Sequence, residues 1–171
     1  MALKFHRSEW PAKLEAYDAA GVKKNCHPSD ELRALVRQST TILSSHLQRA
    51  IESAHCFQLD SEIISSSLFC EAPLPRRLPI PVRCSTSTAA LVTRLLWFMG
   101  YSAGVESYHQ ACQRALNATQ KLITQAQENQ RVVLFGHGIF NRFIGKQLLR
   151  QGWVGPRWQP TQYWSHATYR Y

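Results

Sequence analysis

The chain has 171 residues, with 20 Lys and Arg against 11 Asp and Glu, a formal charge of +9 and 44% apolar residues. That length holds one domain of ordinary size with a real core, and the positive balance favours phosphorylated or otherwise anionic ligands. Five cysteines, at 26, 56, 70, 84 and 112, form no C-x-x-C pair and an odd count; neither a zinc knuckle nor a disulfide framework is suggested, and a reducing cytoplasm is the simplest setting.

Taken in chain order, Trp10, Leu14 and Tyr17 share one face of a first helix that Ser8 is placed to cap and Gly21 to end. Ser29, with Asp30 and Glu31 behind it, starts a second helix whose apolar side is Leu32, Leu35 and Val36. Thr40 to Leu43 reads as a short buried strand closed by Ser44 and Ser45, and Leu47, Ile51 and Ala54 mark the helix after it. Ile63 to Phe69 reads as a strand running into Glu71 and a proline-rich segment that ends near Pro81. Val92, Leu95, Leu96 and Met99 predict a helix ending at Gly100, and Val105 to Ala126 carries the stripe of another, longer one. Val132 to Phe135 reads as a strand buried on both faces, followed by Gly136-His137-Gly138 and a helix with Ile139, Phe143, Leu148 and Leu149 inward. Tyr163, Ser165, Ala167, Tyr169 and Tyr171 alternate as a final half-buried strand. Buried strands alternating with helices imply an α/β fold with a mostly parallel sheet covered on both faces.

His137 therefore sits at the carboxyl end of a strand, where open α/β sheets place ligands and helix amides can meet an anion. Taken alone, Gly-His-Gly is equally a flexible turn whose histidine bonds a neighbouring carbonyl. The basic residues form no long run. The densest patch, Arg76, Arg77 and Arg83, lies in the proline-rich stretch, so no specific nucleic-acid partner is expected. No apolar stretch reaches the roughly 20 residues that span a bilayer, and no signal-peptide core follows Lys4 and Arg7, so no membrane association is expected.

Thr41 to Ala54 together with Gly136-His137-Gly138 resembles the histidine phosphatase superfamily, with its phosphoglycerate-mutase-like fold. The pattern S-x-L-x-R-A-x-x-[ST]-A is met by Ser45, Leu47, Arg49, Ala50, Ser53 and Ala54. The resemblance runs from about Trp10 to Tyr171. It implies a three-layer α/β sandwich over a single domain, 1–171, acting on a small phosphorylated substrate or a phosphate-like anion. Arg49 is then the phosphate fork, because a guanidinium can hold two phosphoryl oxygens at once. His137 becomes the catalytic and phosphate-binding imidazole that strengthens its hydrogen bond as charge shifts in the transition state. Glu71 matches the acid that protonates the leaving oxygen. His46 stands where many relatives have proline and reads as a helix cap or a further phosphate contact. Neither a metal nor another cofactor is implied.

Enzymes of this family begin with a strand ending in Arg-His-Gly, whose histidine becomes phosphohistidine, and that tripeptide does not occur here. Three explanations follow: an amino-terminal segment lying outside this sequence, a lineage that binds phosphate without catalysis, or His6 as a relocated nucleophile after a stub of strand at Ala2 to Phe5. The first is adopted, with weak or absent turnover expected of the 171 residues. A rival reading takes Gly100-Tyr-Ser-Ala-Gly104 as a nucleophile elbow, making Ser102 a serine-esterase nucleophile with Glu106 or Glu128 orienting His137 or His166. The elbow requires a preceding strand, and the residues before it read as helix.

Overall fold

In a computed structural model the chain is described at residues 4–22, 27–79, 84–160 and 162–171. Cys26, Arg83, the end of the proline-rich segment and the Ala2-Leu3 part of the strand stub lie outside the described residues. Strand β1 (Lys4–Phe5) leads through a 3-10 turn (Arg7–Glu9) into helices α1 (Trp10–Ala19) and α2 (Asp30–Val36). Strand β2 (Thr41–Ser45), helix α3 (Gln48–His55) and strand β3 (Ile63–Ser66) follow, then a second 3-10 turn (Ser67–Phe69). Strand β4 (Cys84–Ser85), helices α4 (Thr86–Phe98) and α5 (Tyr108–Asn129), strand β5 (Val132–Phe135) and helix α6 (Gly138–Arg150) complete the order.

The residues divide into two compact units, one made of Met1–Ala20 and Ala72–Ala111, the other of Gly21–Glu71 and Cys112–Tyr171. The second unit holds a parallel sheet in the order β3-β2-β5. Its register is set by Leu43 opposite Ile64 on one side and Leu134 on the other. β2 is paired along both edges and all five of its residues are buried, as its Thr-Ile-Leu-Ser-Ser sequence requires of a central strand. Side-chain alternation then builds a layer on each face. Val132 and Leu134 pack with Leu43, Ala115, Ala118, Phe140 and Ile144, beneath α5 and α6. Val133 and Phe135 pack with Leu32, Val36 and Phe57, at α2 and the end of α3. Leu43 and Phe140 are fully buried, and each such side chain contributes roughly 1.5–3 kcal/mol of transfer free energy.

The first unit is built on a two-residue antiparallel ribbon, Lys4 opposite Ser85 and Phe5 opposite Cys84. Phe5, Trp10, Leu78, Cys84 and Ala89 form its core, and the buried Trp10 indole donates to the Pro75 carbonyl at 2.9 Å. Arg94 of α4 donates to the Ala72 and Pro73 carbonyls, at 2.7 and 3.3 Å, which ties down a proline-rich segment that has no ladder of its own.

Four local expectations are corrected. Ser8 does not cap the first helix: it lies in the preceding 3-10 turn, which is capped by His6 accepting from the Ser8 amide and by a capping box with Glu9, and α1 itself starts after Glu9 with no side-chain cap bond. The strand after Asp60 stops at Ser66 because the Ser66 hydroxyl accepts from Leu68 N and turns the chain into a 3-10 turn. β5 is half-buried at every position instead of enclosed, since among the described strands it pairs only with β2. The alternating tail is not a strand: its one ladder contact is an antiparallel bridge between Val154 and Arg170. Tyr169 instead turns inward, its hydroxyl donating to Pro156 O at 2.9 Å, while Tyr163 and Tyr171 stand in solvent.

Candidate active site

The carboxyl ends of β2 and β5 lie side by side, and each runs into a helix. At the end of β2 the buried Ser44 hydroxyl donates to Ser45 O at 2.9 Å, and Ser45 Oγ accepts from Leu47 N at 3.2 Å. These two bonds turn the chain sharply enough for α3 to begin at Gln48. Ala50 and Ala54 face the sheet, at 4% and 1% exposure, because only small side chains let the helix lie this close. Arg49, half-buried, and His46, exposed, are left at the sheet's carboxyl edge. Ser53 donates to the Arg49 carbonyl at 2.7 Å, so the small residues of the motif secure the backbone that carries the arginine.

At the end of β5, Gly136 allows a close approach: a Cβ there would meet the Asn141 carboxamide, which would have to shift. His137 has extended backbone and caps α6 by accepting from Asn141 N at 2.8 Å through its carbonyl. Its own side chain makes no capping bond. The first free amides of α6 are met from a distance: Glu71 accepts from Ile139 N at 3.3 Å and from Phe140 N at 2.9 Å. A carboxylate suits that place, since a helix N-terminus concentrates unpaired donors and the positive end of the dipole.

His137 is 8% exposed, and its Nε2 is buried without a hydrogen-bond partner among the described residues. Burial, and then the positive charges of Arg49, His46 and Arg114, push its pKa down from 6.5 to about 3. At neutral pH it is an uncharged imidazole in the field of the Arg49 and Arg114 guanidiniums. An oxyanion placed there would meet the Arg49 fork and could accept from a proton-bearing ring nitrogen. The Asn141 Oδ1 beside it is the other buried side-chain atom without a partner among the described residues.

The residues expected from sequence are thus placed as follows. Arg49, His46 and His137 share one electrostatic neighbourhood, and Glu71 joins it through the first turn of α6. His6 Nδ1 is bound to Ser8 Oγ at 2.9 Å and serves as a cap. Ser102 lies in a turn after α4, not after a strand; Gly100 and Gly104 take positive φ there, and Ser102 O accepts from Val105 N at 3.2 Å. The nucleophile-elbow geometry is therefore absent. Glu128 accepts from Gln125, Glu106 gives its carbonyl to the Trp97 indole, and His166 is exposed. Two neighbours of the site were not anticipated. Neither Asn141 nor Arg114 carries a motif signal; in the structure Ala111, Ala115 and Ala118 around Arg114 are fully buried and make that side of α5 a close-packed face. A polar hollow of about 470 Å³ lined by Gln38, Thr40 and Asn129 to Arg131 opens at the opposite, amino-terminal edge of β2 and β5 and contains neither unpartnered atom.

Residues 29–169 match the model of the histidine phosphatase superfamily, branch 1. The chain belongs to that superfamily. No curated protein matches it by sequence. Among solved structures, mycobacterial hydrolase 1 superposes with a TM-score of 0.52 at 18% identity, covering 80% of this chain and 74% of that one. Mycobacterial hydrolase 2 gives 0.50 at 21% identity over 70% of this chain and 57% of its own. A mycobacterial glucosyl-3-phosphoglycerate phosphatase complexed with VO3 gives 0.48 at 17% identity, covering 80% and 76%. At these identities the likeness is one of fold. Ser45, Arg49, Ala50 and the Gly136-His137-Gly138 junction all lie within the matched residues. Among the described residues no helix is long and apolar enough to cross a membrane.

Proposed function

We propose that the junction between β2 and β5 binds the phosphoryl group of a small phosphorylated molecule, in the manner of a phosphomonoester hydrolase of the superfamily. One observation carries this reading: a buried, uncharged His137, its Nε2 without a hydrogen-bond partner among the described residues, lies in the field of Arg49 at the carboxyl edge of a parallel sheet. Arg49 holds two phosphoryl oxygens, and His137 Nε2 donates to a third as negative charge builds on it. Glu71, resting on the first turn of the His137 helix, supplies the proton to the leaving oxygen. Cys56, Cys84 and Cys112, which form no disulfide among the described residues, fit a reducing, cytoplasmic setting.

The phosphohistidine step needs a nucleophile that no Arg-His-Gly in this sequence supplies. For these 171 residues we infer phosphate-ligand binding with weak turnover or none. Turnover of p-nitrophenyl phosphate by the purified chain is expected to be marginal, with phosphate or vanadate binding lost in Arg49→Ala and in His137→Ala. Robust turnover that disappears in His6→Ala would overturn the marginal-turnover reading and make His6 the nucleophile. Labelling of Ser102 by a fluorophosphonate would instead establish a serine hydrolase.

A further inference from the structure

Helix α5 presents one arginine from its close-packed alanine face. Arg114 donates through one guanidinium nitrogen to two carbonyls, Leu68 O at 3.0 Å and Cys70 O at 2.9 Å. The same guanidinium lies close enough over the Phe140 ring for its carbon to be 3.8 Å from the ring centroid. Leu68 to Cys70 is the segment that ends in Glu71, and Phe140 is the residue whose amide Glu71 accepts. The contacts close a circuit: α5 to the 68–70 segment, to the Glu71 carboxylate, to the first turn of α6, and back through the Phe140 ring to α5.

We propose that Arg114 is a positioning residue of this site, a strap that holds the segment bearing Glu71 against the first turn of α6 and thereby fixes the setting of His137. The inference rests on the phosphoryl-binding reading for its functional consequence, and on geometry alone for the strap itself. Arginine is the residue this demands. Two carbonyls must be satisfied by one cation that also offers a planar face to an aromatic ring, and a lysine ammonium supplies the charge without the plane. Leu68 O lies in the 3-10 turn and Cys70 O directly after it, where the chain has left β3, so the guanidinium provides the hydrogen bonds that a ladder would otherwise give. A further consequence is electrostatic. Arg114 is also among the side chains whose charge acts on His137, and it is anchored on both sides of the Glu71 contact.

The test uses the full chain, labelled with nitrogen-15. The resonance of an amide donating to a carboxylate moves as that carboxylate ionises, so the Phe140 N–H signal follows the titration of Glu71 in the unsubstituted protein and stops doing so in Glu71→Gln. In Arg114→Met the Phe140 titration is expected to vanish while most other amide signals stay in place. Inorganic phosphate binding, read by calorimetry, is expected to weaken about tenfold. The double variant Arg114→Met with Glu71→Gln is expected to bind no more weakly than Glu71→Gln alone, because both changes cut the same circuit. Arg114→Lys, which keeps the charge should the Met variant fold poorly, is expected to show the same loss of the Phe140 titration. Survival of that titration in a folded Arg114 variant, or additive losses in the double variant, would overturn the strap. Should the unsubstituted chain bind no phosphate, the phosphoryl-binding reading falls, and the Phe140 signal still decides whether Arg114 is the strap.

Discussion

The two strand-to-helix junctions of the sheet do the same mechanical job with opposite means. After β2 the turn is made locally: Ser44 and Ser45 bond within three residues, and the strand before them is paired along both edges. After β5 the helix amides are satisfied by Glu71, 68 and 69 positions away, and the strand before them is half-buried. The first junction is rigid because its own residues make it so. The second is assembled only when the chain has folded, and it is the one that carries the buried imidazole. The side chain with the most perturbed chemistry thus sits on the support that depends most on tertiary structure.

The largest effect that separates the junctions is expected from pH. Folded His137 stays neutral until about pH 3, whereas in the unfolded chain it takes up a proton near 6.5. Between those values the unfolded state binds more protons, so the stability contributed by this group is complete above 6.5 and declines as the pH falls towards 3. Each pH unit across that window is worth about 1.4 kcal/mol, which makes the loss on the order of a few kcal/mol. Urea unfolding between pH 7 and 4 should show it, and His137→Gln should flatten that part of the profile. An equal slope in the variant would assign the acid sensitivity elsewhere.

Gly136→Ala comes next. The added methyl meets the Asn141 carboxamide, and overpacking of this kind costs about 1–3 kcal/mol. A thermal midpoint unchanged by the substitution would mean that Asn141 moves aside freely. Glu71→Ala removes the acceptor of two α6 amides and is expected to destabilise by roughly 1–2 kcal/mol, with faster hydrogen exchange at Ile139 and Phe140. Ser45→Ala, which deletes one local bond at the other junction, is expected to cost about 0.5–1 kcal/mol and to leave exchange in α6 unchanged. Equal responses of α6 to Glu71→Ala and Ser45→Ala would erase the distinction between the two supports.

The same division decides what was legible in the sequence. The β2 junction could be read because its determinants are consecutive: buried strand, two serines, then Arg49 flanked by alanines at helical spacing. His137 could be read as lying between a strand and a helix, and Glu71 as lying beyond the strand that follows the arginine helix. What no local pattern conveys is that the Glu71 carboxylate caps α6, or that Arg114 secures the segment before it, since these contacts join residues 44 to 69 positions apart. The tail failed for a related reason. Alternation from Tyr163 to Tyr171 imitates a strand, but a strand also needs an edge to pair with, and Tyr169 is drawn inward by Pro156 and Gln159 instead. His6 looked like chemistry and is used as a cap, because a histidine beside a helix start offers the same acceptor as serine or aspartate.

The central claim is that the two junctions together form one phosphoryl site, and calorimetric titration with inorganic phosphate tests it most directly. Measurable binding is expected of the unsubstituted chain, with at least a tenfold loss in Arg49→Ala and in His137→Ala, and no loss in Ser102→Ala. Binding of equal strength in all four proteins, or loss in Ser102→Ala alone, would contradict it.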